Sequence, residues 1–107
     1  MEHKNIGYEL KIHSQDDLQG IVEHSLDLQG LCSYDIVNNL IHYLTKNSEN
    51  VKNTVLTIIN CSNGISIVRD YQCLNILKDK TFLIEEIKVI ANIILGYEEA
   101  EETFLHD

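Results

Sequence analysis

Five acids crowd the last ten residues: Glu98, Glu99, Glu101, Glu102 and Asp107, with no Lys or Arg among them. Four of the carboxylates fall within about a turn and a half if the segment is helical, and like charges at that spacing repel. Stability does not ask for such an arrangement. The chemistry it offers is capture of Lys and Arg on a partner surface. Phe104 follows the acids and supplies an aromatic anchor of the kind that dominates binding energy in interfaces. The expected partner-binding residues are therefore Glu98, Glu99, Glu101, Glu102, Phe104 and Asp107. The competing interpretation is a solvated, frayed terminus.

Two other constellations could carry chemistry. Cys32 follows His24 by eight residues, and a nucleophilic thiol needs a base within reach and a lowered pKa. Nothing in the local sequence enforces either condition. Cys61 and Cys73 stand among apolar residues and read as small core side chains. His13, Asp16, Asp17, Glu23, His24 and Asp27 gather metal-ligating types in one stretch, but their spacing matches no standard ligand set. Phosphate loops, dinucleotide fingerprints, zinc-protease motifs, paired cysteines and nucleophile elbows are missing from the sequence. No metal, no cofactor and no catalytic residue is expected.

Composition narrows the partners. The chain has 107 residues, with 17 acids against 8 Lys and Arg, for a formal net charge of −9. Nucleic-acid binding by phosphate neutralisation needs the opposite balance, and an anionic membrane would repel this surface. A basic protein is the natural complement. Three cysteines are an odd number, which favours reduced thiols and a cytoplasmic location. No signal-peptide pattern and no membrane-span run is visible.

The elements that must position these residues follow from periodicity. Ile6 to His13 alternates apolar and other residues, which predicts a strand with Ile6, Tyr8, Leu10 and Ile12 toward the core. Ser14 and Asp17 have the spacing of a capping box, and Leu18, Ile21, Val22, Ser25 and Leu26 then keep helical spacing. A helix is expected over Gln15–Gln29, with Gly20 as its weak point. Ser33 caps a second helix, Tyr34–Lys46, whose stripe is Ile36, Val37, Leu40, Ile41 and Leu44.

Residues 54–71 contain two β-branched runs around Ser62-Asn63-Gly64, a hairpin signal. A three-residue loop would pair Cys61 with Ile65, Ile59 with Ile67, Thr57 with Arg69 and Val55 with Tyr71 on the core face. The rival is a helical repeat, because Val51–Gly64 aligns with Leu83–Gly96 at constant offset. Thr81 then caps the longest apolar stripe, a helix over Phe82–Tyr97.

The expected fold class is α+β: a small antiparallel sheet of three to four strands, with a hairpin near 54–71, packed with three helices. An all-α bundle or short helical repeat is the alternative. Residues 1–97 form one globular domain and 98–107 an acidic tail.

The expected function is a non-enzymatic, acidic protein-binding module. Its most concrete form is an inhibitor or immunity-type protein that covers the cationic cleft of a basic partner such as a nuclease toxin. One alternative is a homodimeric structural or regulatory adaptor, with the apolar surplus of residues 82–95 as its interface. The other is a small cysteine/histidine enzyme.

Overall fold

The structure is a computed structural model that describes residues 6–14, 17–46, 53–72 and 74–105. Its class is α+β, with a four-stranded antiparallel sheet and two helices. In chain order the elements are β1 (Tyr8–Ser14), β2 (Ile21–Ser25), a 3-10 turn (Gln29–Cys32), α1 (Tyr34–Lys46), β3 (Thr54–Asn60), β4 (Ser66–Tyr71), a second 3-10 turn (Leu74–Lys78) and α2 (Lys80–Leu105). The strand order is β2-β1-β3-β4. Every neighbouring pair is antiparallel.

The alternation in β1 works as its sequence dictates. Leu10 and Ile12 are fully buried, and Tyr8 packs on the same core. Ile6, expected on the core face, precedes the strand and is 52% exposed. The register places Leu10 opposite Ile58 and Ile12 opposite Leu56. The core forms where this sheet face meets Val37, Leu40 and Leu44 of α1 and Leu83, Ile87, Ile90 and Ile94 of α2. Each such fully buried Leu or Ile contributes about 1.5–3 kcal/mol relative to an exposed one.

The helix expected over Gln15–Gln29 is replaced by a turn and strand β2, which pairs with β1 from Ile12↔Ile21 to Tyr8↔Ser25. Gly20 explains the difference. Its φ of +56 is left-handed, and a Cβ there would lie 1.9 Å from the Ile12 carbonyl oxygen. The hydrogen bonds expected of a cap exist, but they close a tight turn. The Asp17 N–H donates to Ser14 Oγ at 3.2 Å, and the Gly20 N–H donates to Asp17 Oδ1 at 3.1 Å. The β-branched pair Ile21-Val22 then extends. The sheet thus has four strands and the described fold two helices rather than three; the helical-repeat alternative is set aside.

The hairpin at 54–71 is present, but its register differs by one residue from the expected one. Ile58 faces Ile67, Leu56 faces Arg69 and Thr54 faces Tyr71. The loop is Cys61 to Gly64, closed by Asn60 N–H on the Ile65 carbonyl and Gly64 N–H on the Asn60 carbonyl, each 2.8 Å. A slip of one residue exchanges the faces of a strand. Leu56 and Ile58 therefore enter the core, while Val55, Thr57 and Ile59 lie on the other face with partial exposure. Among the described residues no helix covers that other face, and Val22 and Val68 stand 50% and 55% exposed there.

Helix α1 spans the expected residues. Its first turn is held by Ser33, whose Oγ accepts the Ile36 N–H at 3.3 Å. Helix α2 begins two residues earlier than expected, at Lys80. Asp79, not Thr81, is the cap, and its Oδ1 accepts the N–H groups of Thr81 at 3.0 Å and Phe82 at 3.3 Å.

Candidate partner-binding site

Helix α2 does not stop at Gly96. It continues to Leu105, so the expected boundary between a body ending at 97 and a separate tail falls inside one continuous helix. Gly96 has helical backbone, and nothing lies within 4 Å of where its Cβ would be. A glycine in a helix interior costs about 1 kcal/mol against Ala without breaking the helix.

This continuity divides the acidic cluster. Glu98 lies on the inner side of α2, one turn beyond the buried Ile94. One of its carboxylate oxygens accepts the Tyr8 hydroxyl at 2.7 Å and the Asn60 Nδ2–H at 2.5 Å. Asn60 is only 6% exposed, and its Oδ1 accepts the Ser62 N–H at 2.9 Å. Burial, and then the bond to Glu98, push the Tyr8 hydroxyl up to about 12. Glu98 therefore ties α2 to the ends of β1 and β3.

Glu99 is exposed beside it. Glu101, Glu102 and Phe104 occupy the last turn and a half of the same helix. Asp107 lies outside the described residues. Of the expected site residues, then, Glu98 is hydrogen-bonded to the sheet, Glu99 is exposed, and Glu101, Glu102 and Phe104 fall in the last turns of the helix.

The electrostatics of that end are unfavourable for the isolated chain. A helix carries a partial negative charge at its C-terminus, where cations stabilise and anions do not. The last turn of α2 contains no basic residue. Leu95 and Tyr97, one turn earlier, are 43% and 54% exposed. The end of α2 is thus an acidic helix terminus next to accessible apolar side chains.

Two further carboxylates show the same brace as Glu98. Glu86 accepts the Tyr71 hydroxyl at 2.6 Å and lies 3.5 Å from Arg69 Nη1. Asp17 accepts the Tyr43 hydroxyl at 2.9 Å. Its carboxyl is held below the usual range, first by the Gly20 N–H and then by that hydroxyl. Tyrosine spacing in the sequence gives no hint of these pairs, because each joins elements distant along the chain.

The cysteine–histidine pair does not assemble. Strand alternation sends His24 to the uncovered face, where its Nε2 is 3.0 Å from the Ile6 carbonyl oxygen. Cys32 lies on the helical side, in a groove of about 280 Å³ lined by Leu28, Gln29, Cys32, Lys88, Ala91, Asn92 and Leu95. Burial pushes the Cys32 thiol up, with Lys88 opposing it weakly. The would-be metal ligands are dispersed in the same way. Asp27 accepts the Gly30 N–H at 2.7 Å, and Glu23 and His24 point to opposite faces of β2. Asp16 lies outside the described residues. Among the described residues no three His, Cys, Asp or Glu side chains converge to hold a metal ion.

Residues 50–105 match the model of a domain of unknown function, DUF1869. The chain belongs to the DUF1869 family. The matched span is just over half of the 107 residues and takes in β3, β4 and α2. The DUF1869 segment therefore contains the hairpin and the whole acidic helix end through Leu105, and leaves out both His24 and Cys32. No curated protein and no solved structure matches the chain. Among the described residues no helix is long and apolar enough to cross a membrane.

Proposed function

We propose that this DUF1869 protein is a non-enzymatic binding module that docks a basic protein partner on the acidic C-terminal end of α2. The observation that carries the reading is the placement of Glu99, Glu101 and Glu102 at the negative pole of a 26-residue helix without a compensating cation. Free, these charges oppose both one another and the helix dipole. A lysine- or arginine-rich surface would relieve both penalties on binding. Exposed Leu95 and Tyr97 supply apolar contact at the rim of the charge. A Cys32 thiol pushed toward its protonated form, in a groove with no histidine among its described lining residues, also favours binding over thiol catalysis.

The specific form we favour is an inhibitor or immunity-type protein that covers the cationic, phosphate-binding cleft of a nuclease toxin. Such clefts present the complementary charge, and electrostatic steering makes association fast. The test is retention of lysate proteins on the immobilised chain, eluted by stepwise salt, for wild type and for a Glu99→Lys/Glu101→Lys/Glu102→Lys variant. A basic protein released by salt from wild type and not retained by the variant is expected. Equal retention by both would remove the helix end as the contact.

A further inference from the structure

Strand β4 is the last in the order β2-β1-β3-β4, so among the described residues one row of its backbone donors and acceptors has no strand partner. Such an edge is a template for strand addition. Above it, α2 packs on β3 and β4, and Glu86 reaches down to Tyr71 and Arg69 of the edge strand. Val89 and Ile93 follow Glu86 at three and seven residues and so share its flank, the one turned toward the free edge. Each is 42% exposed. Below the edge, on the uncovered sheet face, Val68 is 55% exposed. Exposed apolar side chains thus stand on both sides of the free edge: Val89 and Ile93 above, Val68 below.

We infer that β4 pairs antiparallel with β4 of a second copy of this chain, making a continuous eight-stranded sheet with the two α2 helices side by side. The spacing singles out a second copy. Strands in a sheet lie about 4.8 Å apart, so a helix seated between β3 and β4 sits about 4.8 Å from a twofold axis at the β4–β4 seam. Its symmetry mate is then about 9.6 Å away, within the roughly 8–10 Å range of packed helices. Val89 and Ile93 of the two copies would meet across that gap. An added strand alone would leave the α2 flank open; a copy brings strand and helix together at matching distances.

Side-chain order fits the same twofold. A seam centred on Val68 keeps both helices on one side of the sheet and sets Val68 against Val68 of the second copy. It also sets Ser66 against Asp70, and Ile67 against the aliphatic stem of Arg69. The strand itself carries one cation and one anion, Arg69 and Asp70, so the seam escapes the repulsion carried by the rest of the chain. The twofold runs the two α2 helices in opposite directions, which leaves the acidic ends at opposite poles and free for other contacts.

Sedimentation of the full chain over about 1–500 μM, where modest interfaces dissociate, tests this. The expected result is a reversible species of twice the 12.3 kDa chain mass, strengthened by added salt because screening weakens the repulsion between two chains of formal charge −9. Ile93→Lys and Val68→Lys sit at exposed positions and should leave circular dichroism unchanged while raising the dimer dissociation constant at least about tenfold, the scale of one lost interface anchor. A monomer throughout the range would overturn the inference. So would a dimer indifferent to both substitutions, or a monomer that takes up a strand-forming peptide at β4 instead of its own copy.

Discussion

The two ends of α2 obey opposite rules. At its start, Asp79 places a carboxylate at the positive pole and accepts two otherwise unpaired N–H groups, as helix stability asks. At its finish, acids gather at the negative pole with no cation in the last turn. The contrast sharpens between Glu98 and Glu99, adjacent in sequence. The first accepts hydrogen bonds from Tyr8 and Asn60; the second is exposed. Folding accounts for the start of the helix and for Glu98. No such bond is seen for the exposed Glu99, and it is this outward charge at the negative pole that the proposed docking role would use.

Substitutions can widen or erase this contrast. The largest effect is expected at Ile94, fully buried under the C-terminal half of α2. Ile94→Ala should cost about 2–5 kcal/mol in urea unfolding, in line with other buried truncations. Ile93→Ala, one residue away and 42% exposed, should change the stability of the monomer by less than about 0.5 kcal/mol. Equal costs at the two positions would mean that the inner and outer faces of α2 are misassigned.

Glu98→Ala comes next. It leaves Tyr8 and the buried Asn60 amide without their acceptor, at about 1–3 kcal/mol. Asp79→Ala should cost about 1 kcal/mol through loss of the helix cap. Smallest is the effect of Glu99→Lys, which places a cation at the negative pole and should raise stability by a few tenths of a kcal/mol at low salt. Loss of stability in that variant would show that Glu99 belongs to the fold, as Glu98 does.

The tyrosine braces give a pH signature. Burial and the carboxylate partners Glu98 and Asp17 raise Tyr8 and Tyr43 to about 12, from an ordinary 10. Tyr71 is raised as well, by burial and Glu86. The folded chain therefore holds these protons where the unfolded chain releases them. For Tyr8 and Tyr43 the contribution is complete below pH 10 and is lost as pH climbs through the window from 10 to 12; that of Tyr71 is lost higher still. Ultraviolet titration of phenolate should show delayed ionisation in the folded protein. In Glu98→Gln the Tyr8 part of the delay should shrink, since a neutral acceptor no longer opposes a phenolate, although burial remains.

Much of this was legible in the sequence, and the failures have physical reasons. The alternation of Tyr8, Leu10 and Ile12 and the stripe of Tyr34–Lys46 each have one dominant period, and both elements formed where expected. The stretch from Leu18 to Leu26 misled because five apolar or small residues at helical spacing outweighed one glycine. Only in the fold does Gly20 show its left-handed backbone and the closeness of Ile12. In the 54–71 hairpin both faces of β3 are apolar, so pattern could not choose the register; the four-residue loop did. The acid cluster was visible by composition, but the inward turn of Glu98 depends on partners 90 and 38 residues away.

The central claim is that the acids at the end of α2 serve binding at the expense of folding. The most direct measurement joins two readings on one variant, Glu99→Lys/Glu101→Lys/Glu102→Lys: its urea midpoint and its retention of the salt-eluted basic partner. The account predicts a midpoint equal to or above that of wild type together with loss of the partner. A lowered midpoint with the partner still held would contradict it and return these acids to the fold.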